Sequence, residues 1–201
     1  MRKELTLRQY RLIDLFFFAA ILCLCEALIT LAATRWFPGE PYVLSVTPTV
    51  CAVVMFRWGG YAGIHAALGA LVLCVLSKAP GREYLIYGLG NLLSLLALIP
   101  MKKYGWQKIR DHTVGCMAFG FLVTVLMQTG RAVLSLIFQK DPAVCLLYYT
   151  TDVLTCLFTV ILMWITRRLD GILEEQRHYI KRVGKELNSE KESQNAGRLE
   201  L

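Results

Sequence analysis

Six runs of apolar residues, at about 12–34, 43–56, 61–76, 84–100, 113–138 and 144–166, follow one another with short polar segments between them. At 1.5 Å per residue the first is roughly 34 Å long, enough to cross a bilayer core of about 30 Å. Each run is predicted to be a helix apolar on every face, which in water would have nothing to bury itself against. The pattern therefore predicts an all-α integral membrane protein with six transmembrane helices, forming one membrane domain over residues 1–166. The first run is read as a retained helix, since it is longer than a signal-peptide core and contains Glu26. Pro48 is expected to kink or interrupt the second run. RWFPGEPY at 35–42 reads as a loop that sets Trp36 and Tyr42 at the membrane interface, and MKKYGWQKIRDH at 101–112 as a solvent-facing loop.

Beyond the sixth run the pattern changes. Leu169, Leu173, Gln176, Ile180, Val183 and Leu187 are spaced alternately by four and three, predicting that 167–187 continues helix six as a cytoplasmic amphipathic helix. Residues 188–201 carry no periodicity and are expected to be a disordered tail.

Composition supports a lipid environment: of 201 residues 56% are hydrophobic and only 18% charged, against about 25% charged in ordinary soluble domains. The net charge of +7 would suit nucleic acid if it were clustered, but the Lys and Arg residues lie between apolar runs and act as topology signals. With both termini cytoplasmic, seventeen basic residues fall on the inner side and four on the outer, leaving Arg131 within the membrane. The chain is thus expected to be a multi-pass protein of the cell membrane, with both ends inside and no nucleic-acid partner. Its seven cysteines include no CxxC pair and no histidine at zinc-ligand spacing, so they read as small packing residues.

An ionisable group at membrane depth costs roughly 2.5–3.5 kcal/mol and requires a reason. Counted from the predicted outer helix ends, Glu26, Asn91, Gln128, Arg131 and Asp152 all fall roughly 10–15 Å deep. One shared layer suits a polar cavity open to the outside. Tyr148 and Tyr149 precede Asp152, Tyr87 lies one turn above Asn91, and Trp36 sits in the loop above, giving aromatic faces beside hydrogen-bonding groups, as a small organic ligand needs. These nine residues form the candidate substrate site. Arg131 and Asp152 would equally make a structural pair between helices five and six, and His65, off the layer, reads as packing. Ala19, Cys23 and Ala27 recur every four residues on helix one, a small-residue stripe suited to close approach of another helix, inside the bundle or on a partner. There is no GxxxxGK[ST], HExxH or GxSxG, so no enzymatic activity, metal or cofactor is expected, and uphill transport would need energy from a partner.

Residues 12–166 resemble the substrate-binding S components of energy-coupling factor (ECF) vitamin transporters. The basic N-terminus, the helix-one stripe and above all LSVTPTVCAVVMFRWGGYAGIHAALGALV at 44–72 carry the likeness, the last being similar to that family's proline-containing second helix, basic-glycine turn and Gly/Ala-rich third helix. The resemblance implies a six-helix subunit of an ABC importer that captures a small polar or aromatic vitamin-like solute in an outer-half pocket. It also implies docking through helix one, here Ala19, Cys23 and Ala27 where the family has AxxxA, on a membrane coupling protein with two ATPase subunits. Two other classes remain: a membrane scaffold of the MreD type with no transported solute, favoured by the charged tail, and an intramembrane enzyme using Glu26 with His65 or Asp152.

Overall fold

The computed structural model describes residues 6–38, 44–169, 171–176 and 179, and among these every regular element is helical. Helix α1 (Leu7–Trp36) begins five residues before the apolar run, because Thr6 and Gln9 form a capping box that satisfies the first turn's free N–H groups. α2 (Thr47–Trp58) and α3 (Ala62–Leu76) are joined by a 3₁₀ turn at Gly59–Tyr61. Pro48 does not interrupt α2 but starts it: in the first turn a missing N–H costs nothing, and the fixed proline φ suits the helix. The next leg comprises α4 (Gly81–Leu92), a 3₁₀ stretch (Leu93–Ala97) and α5 (Leu98–Tyr104). Residues 101–112, expected as a loop, are mostly helical: α5 ends at Gly105, whose φ of +85° turns the chain into α6 (Trp106–Asp111). α7 (Thr113–Ile137) is 25 residues long; α8 (Pro142–Thr151) and α9 (Val153–Arg168) replace the single sixth helix and are bent 46° at Asp152.

Four helical stretches are long and apolar enough to cross a membrane, Leu7–Trp36, Thr47–Leu76, Gly81–Tyr104 and Thr113–Ile137, and the bent α8–α9 pair makes a fifth. Thr47–Leu76 is not one rod. Thr47 packs against Gly69, 22 residues later, whereas a straight helix would hold them roughly 33 Å apart. The turn at Gly59, with φ +62°, folds α3 back along α2. Similar antiparallel neighbours run through the chain: Asp14 meets Arg57 and Glu26 meets Thr47, Asn91 meets Ala66, and Gly120 meets Met163. The described chain therefore makes six legs of alternating direction, with residues 6–14 and 171–176 at the same end of the bundle.

Thr47 to Arg57 of α2 are buried throughout, enclosed by α1, α3, α7 and α9. The core clusters around it, with Phe56 edge-on to Phe119 of α7 at 4.9 Å. The outer faces carry the opposite pattern: Phe16, Phe17, Leu24, Val114, Phe121, Leu157 and Ile161 are all exposed large apolar side chains. Such a surface, at roughly 25 cal/mol per Å², is unfavourable in water and neutral in a lipid core.

The helical extension expected after residue 166 is interrupted: it runs only to Arg168, and helical residues resume at Gln176 and Tyr179. α9 stops at Arg168, Leu169 is extended, and Gly171, with φ +76°, turns the chain back under the bundle. Arg57 Nη1 donates to the carbonyls of Gly171 and Ile172, each at 3.1 Å, and Leu173 and Gln176 are buried. These bonds anchor a turn that a continued helix would carry away from the protein. Of the predicted stripe, Ile180, Val183 and Leu187, like the tail 188–201, lie outside the described residues.

Candidate functional site

α4 and α7 cross where two glycines face each other. A Cβ on Gly130 would strike the backbone of Gly90, and one on Gly90 would come within 2.8 Å of Arg131 N. Backbones this close bring the polar groups that follow, Asn91 and Arg131, into one buried network. Arg131 Nε donates to Asn91 Oδ1 at 2.8 Å, and Nη1 donates to Gln128 Oε1 at 3.2 Å and to Asp152 Oδ2 at 3.0 Å. Gln128 Nε2 donates to the same Asp152 oxygen, and Asn91 Nδ2 donates to the Ala66 carbonyl at 3.1 Å. The guanidinium also lies 4.6 Å over the Tyr87 ring, which meets Tyr148 edge-on at 6.0 Å, and the Tyr148 hydroxyl bonds Ser135 at 3.0 Å. Arg131 is 3% exposed and Asp152 5%. A charge this deep is held by being paired and hydrogen-bonded at once.

Above this network a cavity of about 390 Å³ opens at the end of the bundle away from residues 6–14 and 171–176. Asp152, Tyr87 and Tyr148 line its depth, Leu73 and Leu147 its sides, and Glu83 and Lys140 its upper wall, where the two form an ion pair. Arg131, Gln128 and Asn91 stand behind that wall rather than in it. Lys140 lies in the turn before α8. Burial opposes its charge, but the Glu83 carboxylate and the Tyr148 hydroxyl beside it together outweigh this and raise its pKa above the ordinary 10.5.

The structure therefore gathers six of the nine sequence-derived site residues: Arg131, Asp152, Gln128, Asn91, Tyr87 and Tyr148. Glu26 belongs to a second cluster. Its Oε2 accepts from Ser45 Oγ at 3.0 Å, Val46 N at 3.1 Å and Thr47 Oγ1 at 3.1 Å, capping the buried N-terminus of α2 from the neighbouring helix. Ser45 N in turn donates to Thr155 Oγ1, three residues after Asp152, so α9 touches both clusters. Tyr149 points outward, 40% exposed, with its hydroxyl on Thr129 at 3.0 Å, and Trp36 is 72% exposed at the end of α1; neither lines the cavity. Tyr42 lies outside the described residues. His65 contacts the Leu15 carbonyl at 3.1 Å between α3 and α1. Ala19, Cys23 and Ala27 are half-buried on α1, beside the buried Leu22 and Glu26.

Glu83 and Lys140 were not recognisable from sequence as part of the site. Both flank predicted helices, where charged residues are ordinary, and their pairing spans 57 positions. Compared with protein-family models, curated proteins and solved structures, the chain matches none.

Proposed function

We propose that this chain is a substrate-binding membrane subunit of the ECF S-component type, crossing the cell membrane six times with both ends in the cytoplasm. It takes a small vitamin-like solute from outside and passes it inward with a coupling protein and two ATPase subunits. The observation that carries the reading is the cavity of about 390 Å³: it opens away from the terminal end and holds a carboxylate and two tyrosines against apolar sides. Pockets of roughly 300–1,000 Å³ with a few fixed polar groups suit small organic ligands. The six alternating legs and the basic character of the terminal end agree with it.

One observation favours a scaffold of the MreD type instead: Arg131 already has its bonds within the protein, as a purely structural pair would. Native mass spectrometry of the chain, purified in mild detergent from its own membranes, separates the two. A bound small molecule and co-purifying ATPase subunits are expected. A preparation with neither, in which the chain instead captures other membrane proteins, would replace the importer reading with the scaffold.

A further inference from the structure

The cavity's charges lie at two levels. Asp152 is at the bottom, where Oδ2 is occupied by Arg131 and Gln128 and Oδ1 makes no hydrogen bond among the described residues. Glu83 and Lys140 are at the top. Glu83 precedes Gly90 by seven residues on α4, and Gly90 packs on the backbone of Arg131, so the levels are roughly 10 Å apart. With Arg131 counted behind Asp152, the charges sum to zero. A ligand with net charge would leave one charge uncompensated in a partly closed site, whereas an uncharged ligand would leave both ends unused. Arg131, enclosed by three side chains and a tyrosine ring, is not the cation that a ligand meets. Lys140 is: its ammonium has three rotatable donors, of which Glu83 and the Tyr148 hydroxyl engage two.

We propose that the cavity selects a zwitterion with its ammonium on Asp152 and its carboxylate on Lys140. Allowing about 3 Å for a hydrogen bond at each end, the ligand's charges stand about 4 Å apart, the spacing of a linear ω-amino acid of about three to four carbons. Leu73 and Leu147 face the methylene spacer. Glu83 then competes with the ligand carboxylate for Lys140. This inference rests on the solute-binding reading above.

The test is thermal stabilisation of the full chain in detergent by ω-amino acids from glycine to 8-aminooctanoate, with butylamine and butanoate as single-charge controls. Stabilisation is expected to peak at about three to four carbons, with 4-aminobutanoate binding about 10-fold tighter than either control. Lys140→Gln should bring 4-aminobutanoate and butylamine to within about twofold of each other, while Glu83→Gln should tighten 4-aminobutanoate binding about threefold by removing the competitor. No dependence on chain length, equal binding of butylamine by the unaltered protein, or matching losses in the two variants would overturn the zwitterion. If native mass spectrometry instead finds a bound solute of a single charge, the zwitterion falls and the binding-subunit reading stands. If neither the series nor the preparation yields any bound small molecule, both fall.

Discussion

Arg131 keeps a full charge inside an apolar bundle by meeting a carboxylate, two amides and a ring face together. Removing one partner of such a pair leaves the other charge buried and uncompensated, at a cost of about 3–5 kcal/mol. Arg131→Ala and Asp152→Ala are each expected to destabilise the protein by that order in detergent unfolding. Arg131→Met with Asp152→Leu should cost less than either single change, because no lone charge remains. A double variant as unstable as the two single losses added together would show that the residues do not act as a pair. At the upper wall the Lys140–Glu83 pair gives a pH signature. A lysine whose folded pKa is raised contributes stability that is complete below its unfolded pKa and is lost as pH rises through the folded value. Thermal midpoints should therefore fall above about pH 10.5, with a smaller drop in Lys140→Gln, as a melting series against pH would show.

At the scale of elements, the least expected feature is that α2 begins inside the protein. Glu26 of α1 accepts from the N–H of Val46 at the cap and from the Ser45 and Thr47 hydroxyls, all on one oxygen, while the first-turn N–H of Thr47 donates to Ser45 Oγ. Glu26→Ala would orphan three donors and is expected to cost at least about 2 kcal/mol. Glu26→Gln retains one acceptor oxygen and should recover half or more of that loss. Because Glu26 is absent from the cavity wall, neither change should alter ligand affinity in the folded protein beyond about twofold, a split that paired unfolding and binding measurements would reveal. The break between α8 and α9 belongs to the same scale. It puts Asp152 at a helix junction, where its side chain reaches both the cavity and Arg131.

Across the whole molecule, Arg57 joins three distant parts of the chain. Nε and Nη2 bond both carboxylate oxygens of Asp14 at 2.8 and 2.6 Å, Trp58 Nε1 adds a bond to the same carboxylate, and Nη1 holds the turn after α9. Two charge-assisted bonds to that turn imply that Arg57→Gln will release 171–176. Trypsin cleavage after Arg167 and Arg168 should accelerate about 10-fold or more where proteolysis follows local opening. Unchanged cleavage would mean that the buried Leu173 and Gln176 hold the turn by packing alone.

Hydrophobic periodicity is a property of consecutive residues, and so the apolar helical segments and most of the network around Arg131, with Asp152, Gln128, Asn91, Tyr87 and Tyr148, are legible in the chain order. Depth along a helix follows from counting residues; the side on which a residue lies within the bundle does not. That is why Glu26, at a similar predicted depth, proves to cap α2, and why Arg131 stands behind the cavity wall while Lys140, 57 positions from Glu83, stands in it. The folding back of α3 at Gly59, the bend at Asp152 and the turn after Arg168 likewise depend on contacts between residues far apart in sequence. Local propensity alone does not encode those contacts, and only close packing of the legs decides them.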